Sequence, residues 1–145
     1  MVRKEIDALL KTAHDQLIRA EDDVKDGFYD SCALFSALCA ENSASALILA
    51  LGSKPSKKHR NWYMLKIIPK PKSLEVTVNN TLELLKNMEQ HIIRTRYPTQ
   101  NEEGKFLVPS EYYDKNKAEN LLKNAKKILN QVETLIKKIE KINKT

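Results

Sequence analysis

The chain has 145 residues, of which 41% are hydrophobic and 30% are charged, and its formal net charge is +6. This length predicts a single domain, residues 1–145, with a core that needs no disulfide or metal to hold it together. Glycine occurs only three times and proline five times. So few chain-breaking residues favour long helices and exclude a turn-rich all-β fold.

The cysteines and the apolar stretches indicate the cellular compartment in which the protein is expected. Cys32 and Cys39 are seven residues apart, about 10 Å along a helix, so they are predicted to be buried free thiols of a reducing compartment. The opening residues alternate charged and apolar types, unlike a signal peptide. The longest apolar stretch, residues 31–52, is interrupted by Glu41, Asn42 and four serines. It therefore predicts a buried core helix and no membrane span, and the protein is expected to be cytoplasmic.

Apolar residues at steps of three and four predict the first helix, and a stretch that is apolar on nearly every side predicts the second. The first helix is expected over roughly 3–25, and Gly27 is expected to take the left-handed conformation that ends it. The second begins with Asp30 or Ser31 as its N-cap and ends at Gly52. This second helix is apolar on nearly every side, so it is predicted to lie at the centre of the fold.

Prolines separate the remaining elements. A short helix is predicted over roughly 58–68, and the next helix begins with Ser73 as its cap and ends before Pro98. The sequence "RYPTQNEEGKFLVPS" contains two prolines and a glycine and is predicted to be a loop. The last helix begins between Ser110 and Asp114 and continues almost to the end of the chain. No strand is predicted.

These elements predict an all-α fold, an antiparallel bundle of four long helices plus one short helix. The apolar stripe of the last helix, residues 118–142, spans about 36 Å and is expected to extend beyond the bundle. Because an exposed apolar stripe commonly pairs with a second copy, a homodimer is predicted.

Basic charge increases along the chain. Residues 1–50 have a net charge of −4, residues 51–114 of +4, and the rest of +6. Residues 54–72 contain seven basic groups, no acidic group and Trp62. Basic groups near an aromatic side chain can bind phosphates and stack bases. The alternative is that Trp62 packs in the core while the lysines are solvated.

The second helix contains one charged residue in its apolar part, Glu41. A buried carboxylate needs a partner, and the candidates are Arg94, Arg96 or a lysine or arginine of segment 54–72. An interhelical ion pair and a ligand contact are both open. His91 and Arg94 lie three residues apart and are expected to share one helical face. The helix dipole alone also explains cations at a helix end.

Several motifs occur in a characteristic order. They are "DGFYDSCALFSALCAENSASALILALG", then His59 after the following loop, then "TRYP" at 95–98, and finally "PSEYYDKNKAENLLKNAKKILNQV". In this order and spacing the chain resembles, over about residues 5–140, the HEPN family (higher eukaryote and prokaryote nucleotide-binding domain) in its small stand-alone prokaryotic form.

The resemblance implies an all-α bundle, usually dimeric, often encoded with a partner that contains a nucleotidyltransferase domain. Many members are toxins of toxin–antitoxin pairs that cut RNA with an arginine followed, after four to six residues, by a histidine. The chain departs from this pattern, because none of its arginines has a histidine at that distance; they are Arg3, Arg19, Arg60, Arg94 and Arg96. In "HIIRTR" the histidine precedes the arginines.

The first interpretation is therefore a non-catalytic helical dimer that binds nucleotide or RNA phosphates, acts as the partner subunit of a nucleotidyltransferase, or does both. Its expected binding residues are Arg94, Arg96, Tyr97, His59, Lys58 and Glu41. A second interpretation is a metal-independent ribonuclease of the toxin type with a rearranged site of His91, Arg94 and Arg96. A third is a structural module whose basic surface meets an acidic protein. No cofactor or metal site is predicted.

Overall fold

The computed structural model describes residues 2–144, and most of them are helical. The helices are α1 (Val2–Lys25), α2 (Tyr29–Ala50), α3 (Asn61–Ile67), α4 (Glu75–Met88), α5 (Gln90–Arg94), α6 (Pro109–Tyr112) and α7 (Lys115–Asn143). A single 3₁₀ turn, Lys72–Leu74, leads into α4. A small antiparallel hairpin lies between α5 and α6 and consists of β1 (Thr99–Gln100) and β2 (Phe106–Leu107).

The central element is α2, as its composition predicted. Every residue of α2 is buried or half-buried, and it contacts α1, α3, α4, α5, α6 and α7. Its alanines and serines are small enough to let the neighbouring backbones approach closely. Although α2 is long and apolar enough to cross a membrane, 67% of its apolar window is buried within the domain. The all-α bundle fold is thus confirmed, with α2 as its core helix.

The helices α1 and α7 cover α2 with their apolar stripes. The stripe of α7 is buried from Ala118 to Ile139, and only Ile142 beyond it is 39% exposed. The expectation that this stripe extends beyond the bundle is therefore wrong, because α1, α2 and α4 cover it almost to its end. Cys32 and Cys39 are free and buried, as predicted.

The helix ends confirm some predicted caps and correct others. Gly27 has a φ of +84° and ends α1 as expected. The predicted N-caps of the second helix are wrong, because α2 already begins at Tyr29 and its N-cap, Phe28, has no side-chain acceptor; the Ser31 hydroxyl donates to the Asp23 carboxylate at 2.5 Å. Asp114 caps α7 by accepting a hydrogen bond from the Lys117 N–H at 2.8 Å, and it lies within the range predicted for the start of the last helix.

Three segments differ from the expected elements. The short helix begins only at Asn61, because His59 has a φ of +57°, which no helix residue adopts. The fourth predicted helix is two segments, α4 and α5, and between them the Ile92 N–H bonds the Glu89 carbonyl in a tighter turn. The predicted loop contains the β1–β2 hairpin, whose turn is closed by Gly104 at a φ of +80°.

Candidate functional site

Two adjacent tyrosines at the end of α6, Tyr112 and Tyr113, form hydrogen bonds with side chains of α5. His91 Nδ1 and the Tyr113 hydroxyl share a hydrogen bond of 2.7 Å, and His91 and Tyr113 are 9% and 2% exposed. Burial, and secondarily the charge of Arg94, lowers the pKa of His91 to about 4. His91 is therefore a neutral, buried side chain at physiological pH.

Arg94 lies one turn further along α5 and is held by the second tyrosine. Its Nη1 donates to the Tyr112 hydroxyl at 2.7 Å, and its guanidinium carbon is 5.1 Å from the centre of the Tyr112 ring. Lys117 Nζ lies 4.5 Å from the same ring centre. Two cations thus surround one tyrosine, and the guanidinium of Arg94 is half-buried and fixed in direction.

An open cleft of about 490 Å³, here called the Arg94 cleft, lies beside this guanidinium. Its lining residues are Gln90, Ile93, Arg94, Tyr97, Pro98, Thr99 and Gln100. Ile93 and Tyr97 are 52% and 60% exposed, so both present apolar surface to the cleft. The described lining contains two amides, two hydroxyls and one cation but no carboxylate, and it can therefore accept an anion with an adjoining ring.

A separate polar cluster joins α2 to the start of α3. Glu41 Oε1 lies 2.5 Å from His59 Nδ1. Glu41 therefore has a hydrogen-bond partner from segment 54–72, but this partner is a histidine and not the arginine or lysine that was predicted. The buried Asn61 side chain accepts from the Ser56 N–H at 2.8 Å and donates to the Ser45 hydroxyl at 2.9 Å. These contacts fix the loop in which His59 takes its left-handed conformation.

Glu89 brings a second carboxylate close to this cluster. It is 4% exposed, and its Oε1 accepts from the Trp62 N–H at 3.0 Å. Its Oε2 is buried without a partner among the described residues. Burial is the main cause that raises the pKa of Glu89 to about 8, and the nearby charge of Glu41 adds to the effect. Glu89 is therefore largely protonated at neutral pH.

The basic residues of segment 54–72 do not all behave alike. Lys70 is structural, because its Nζ donates to the carbonyls of Leu65, Lys66 and Ile68 at 2.6–3.2 Å. Five further lysines of the segment are exposed, namely Lys54, Lys57, Lys58, Lys66 and Lys72. Trp62 is half-buried against the core, as the structural alternative expected, and one face of its ring still meets the ammonium of Lys86 at 5.1 Å.

The residues predicted as one binding site fall into two groups. Arg94 and Tyr97 line the same cleft, and Arg96 is exposed between them in the sequence. His59 and Glu41 contact each other at the α2–α3 loop, next to the exposed Lys58, and none of these three lines the cleft.

The sequence reasoning missed the residues that hold this region together. They are Tyr112, Tyr113, Asn61 and Glu89. The double tyrosine after Pro109 was a visible signal for a docking segment. Asn61 and Glu89 gave no local signal, because their partners lie 16 and 27 residues away.

Comparisons with known proteins agree with this fold. The crystal structure of TT1696 from Thermus thermophilus matches with a TM-score of 0.69 and 25% identity over 92% of this chain and 98% of that one. ST0689, described as an archaeal HEPN homologue, matches with a TM-score of 0.68 and 24% identity, covering 90% of this chain and 97% of that one. No curated protein matches the chain. The model of the HEPN domain matches residues 6–138, and the chain therefore belongs to the HEPN family.

Proposed function

We propose that this HEPN domain binds the phosphates of a nucleotide or nucleic acid in the Arg94 cleft without cleaving the ligand. The observation that supports this most is the position of Arg94. Its guanidinium is fixed by the Tyr112 hydroxyl at 2.7 Å beside an open cleft whose described lining contains no carboxylate. A planar guanidinium held in one direction suits bidentate contact with a phosphate.

Neighbouring side chains complete the proposed site. The exposed ring of Tyr97 offers a surface on which a base stacks. Arg96 precedes Tyr97 in the sequence and is exposed, and although it does not line the cleft it can supply a second cation to a ligand that extends past it. Participation of His59, Lys58 and Glu41 stays a prediction of the family resemblance, and a ligand that reached them would have to extend from the cleft to the α2–α3 loop.

The ribonuclease interpretation is less well supported by the surroundings of His91. A general base needs an accessible ring nitrogen near its substrate, whereas His91 is 9% exposed and shares its Nδ1 with Tyr113. Its lowered pKa, about 4, also makes it a weak base. Incubation with transfer RNA is therefore expected to leave the RNA intact. Cleavage by the parent that His91→Ala abolishes would favour the enzyme.

Calorimetric titration with ATP tests the binding proposal. Arg94→Gln removes the fixed cation and is expected to weaken ATP binding about tenfold or more, about 1.4 kcal/mol. Arg96→Gln is expected to weaken it less, because Arg96 is not held beside the cleft. Arg60→Gln is the matched control, since Arg60 is exposed at the start of α3 and does not line the cleft. Equal losses for Arg94→Gln and Arg60→Gln would reject the cleft as the site.

Homodimerisation now rests on the family resemblance, because the stripe of α7 is covered within the domain, and a nucleotidyltransferase-containing partner and a cytoplasmic location stay predictions as well. Exposed apolar side chains near the cleft support a protein contact there; they are Ile93, Tyr97, Phe106 and Val108. Light scattering of the purified protein measures its oligomeric state. A monomer mass at micromolar concentration would count against the dimer.

A further inference from the structure

A second surface, distinct from the Arg94 cleft, lies between α3 and α4. A groove of about 430 Å³, here called the α3–α4 groove, is lined by Trp62, Lys66, Asn79, Leu82, Glu83 and Lys86. Trp62 and Lys66 are one turn apart on α3 and form one wall. Asn79, Glu83 and Lys86 repeat at helical spacing on α4 and form the other.

The groove combines an apolar floor with a basic rim. The half-buried Trp62 ring supplies most of this apolar surface, since Leu82 beneath it is only 4% exposed, and the exposed Lys66 and Lys86 stand on opposite walls. The acidic groups at this surface are Glu83 in the groove and Glu75 at the start of α4. The exposed Arg60 precedes α3, and the exposed Lys72 lies in the 3₁₀ turn that leads into α4, so the surface as a whole remains positive.

Exposed aliphatic side chains distinguish this surface from a nucleic-acid track. Ile67 and Val76 are 56% and 73% exposed. Both lie at the end where Pro69 and Pro71 connect α3 to α4. Aliphatic groups offer a base neither a stacking face nor a hydrogen bond, whereas they pack well against the apolar side chains of a polypeptide.

We propose that the α3–α4 groove docks an acidic, amphipathic segment of a partner protein. An apolar side chain of that segment packs against the exposed part of the Trp62 ring, while its carboxylates face Lys66 and Lys86. Ile67 and Val76 extend the apolar contact past the end of the groove. The complementary charges mainly raise the association rate and select the partner, and the apolar anchor contributes most of the affinity.

The chain contains a built-in reporter for this contact, because Trp62 is its only tryptophan. The probe is a short synthetic peptide rich in glutamate, with leucine at helical spacing and no tryptophan. Its addition is expected to change Trp62 fluorescence saturably. A peptide with serine in place of leucine is expected to bind about tenfold more weakly, since it lacks the apolar anchor.

Charge-reversal variants test whether peptide binding depends on the groove or only on the positive net charge of the protein. The double variant Lys66→Glu/Lys86→Glu is expected to weaken peptide binding by about tenfold or more. The control, Lys137→Glu/Lys138→Glu, makes the same charge change on exposed α7 residues and is expected to leave the affinity within about twofold. Circular dichroism confirms that both variants fold.

Two results would overturn the proposal. One is the absence of any saturable change in Trp62 fluorescence with the leucine peptide. The other is tighter binding of a single-stranded RNA of equal charge that also changes Trp62 fluorescence, which would make the groove a nucleic-acid surface. Neither depends on Arg94, so ATP titration of the cleft and peptide titration of the groove can fail independently.

Discussion

Two regions of this domain bury very different side chains. Along α1, α2 and α7 the interior is almost wholly apolar, as the stripe of α7 from Ala118 to Ile139 illustrates. Where α2 meets α3, α5 and α6, the buried groups include Asn61, Glu89 and His91. The first region stabilises the fold by hydrophobic burial, which changes little with pH. The second contains groups whose protonation changes on folding, and it adjoins both surfaces proposed to bind ligands.

The largest expected effect lies in the apolar region. Leu135 on α7 is fully buried, and Leu135→Ala is expected to lower the free energy of unfolding by about 2–5 kcal/mol, because it removes packed methyl groups and leaves a cavity. Chemical denaturation at pH 6 and at pH 8 should give the same loss. A loss that depends strongly on pH would show that the stability contributed by the apolar region is coupled to protonation in the polar region.

The polar region should make stability depend on pH through two opposed groups. Glu89 has a raised pKa of about 8 in the folded chain against an ordinary 4.5. Its stabilising effect is therefore present at low pH and is lost as the pH rises towards 8. His91 has a lowered pKa of about 4 against an ordinary 6.5, so its contribution is lost as the pH falls from 6.5 towards 4. The two effects oppose each other between pH 4.5 and 6.5.

Glu89→Gln isolates the first of these effects. Between pH 6.5 and 8 the parent is expected to lose about 2 kcal/mol of unfolding free energy through Glu89. Glutamine is neutral and can still accept from the Trp62 N–H, so the variant should lose much less. Urea denaturation of both proteins across this pH range measures the difference. Parallel curves would mean that Glu89 is not protonated in the folded state.

Substitutions of the two adjacent tyrosines are expected to have smaller effects, one mainly on stability and the other mainly on ATP binding. Tyr113→Phe leaves His91 without its hydroxyl partner and is expected to cost about 1 kcal/mol of stability. Tyr112→Phe releases Arg94 and is expected to change stability little, because Tyr112 is only half-buried, but to weaken ATP binding. Thermal unfolding and calorimetry on the same two variants check both expectations. If Tyr113→Phe weakened ATP binding and Tyr112→Phe lowered stability, the roles given to the two tyrosines would have to be exchanged.

The apolar region was predictable from the sequence because its signal is local. Apolar residues at steps of three and four located α1 and α7, and a nearly all-apolar stretch ending at Gly52 located α2. The β1–β2 hairpin was missed, although Asn101 and Gly104 mark its turn. Asn101 Oδ1 accepts hydrogen bonds from the Glu103 and Lys105 N–H groups in this turn. Each strand has only two residues, which is too short to produce a recognisable alternating pattern in the sequence.

The polar region was less predictable because its contacts join distant segments. The sequence indicated that Glu41 needs a partner, but several basic residues competed and His59 became the partner through a left-handed backbone turn. His91 and Arg94 were expected on one face, and each does reach a tyrosine near α6. The spacing did not show that His91 would be buried while Arg94 stayed beside an open cleft.

The most direct test of the central claim observes the arginine side chains themselves. The chain has only five arginines, which are Arg3, Arg19, Arg60, Arg94 and Arg96, so their Nε–Hε signals can be resolved and assigned by NMR. Addition of ATP is predicted to shift the Arg94 signal most, the Arg96 signal less and the Arg60 signal hardly at all. An unchanged Arg94 signal at saturating ATP, or a larger shift at Arg60, would contradict phosphate binding in the Arg94 cleft.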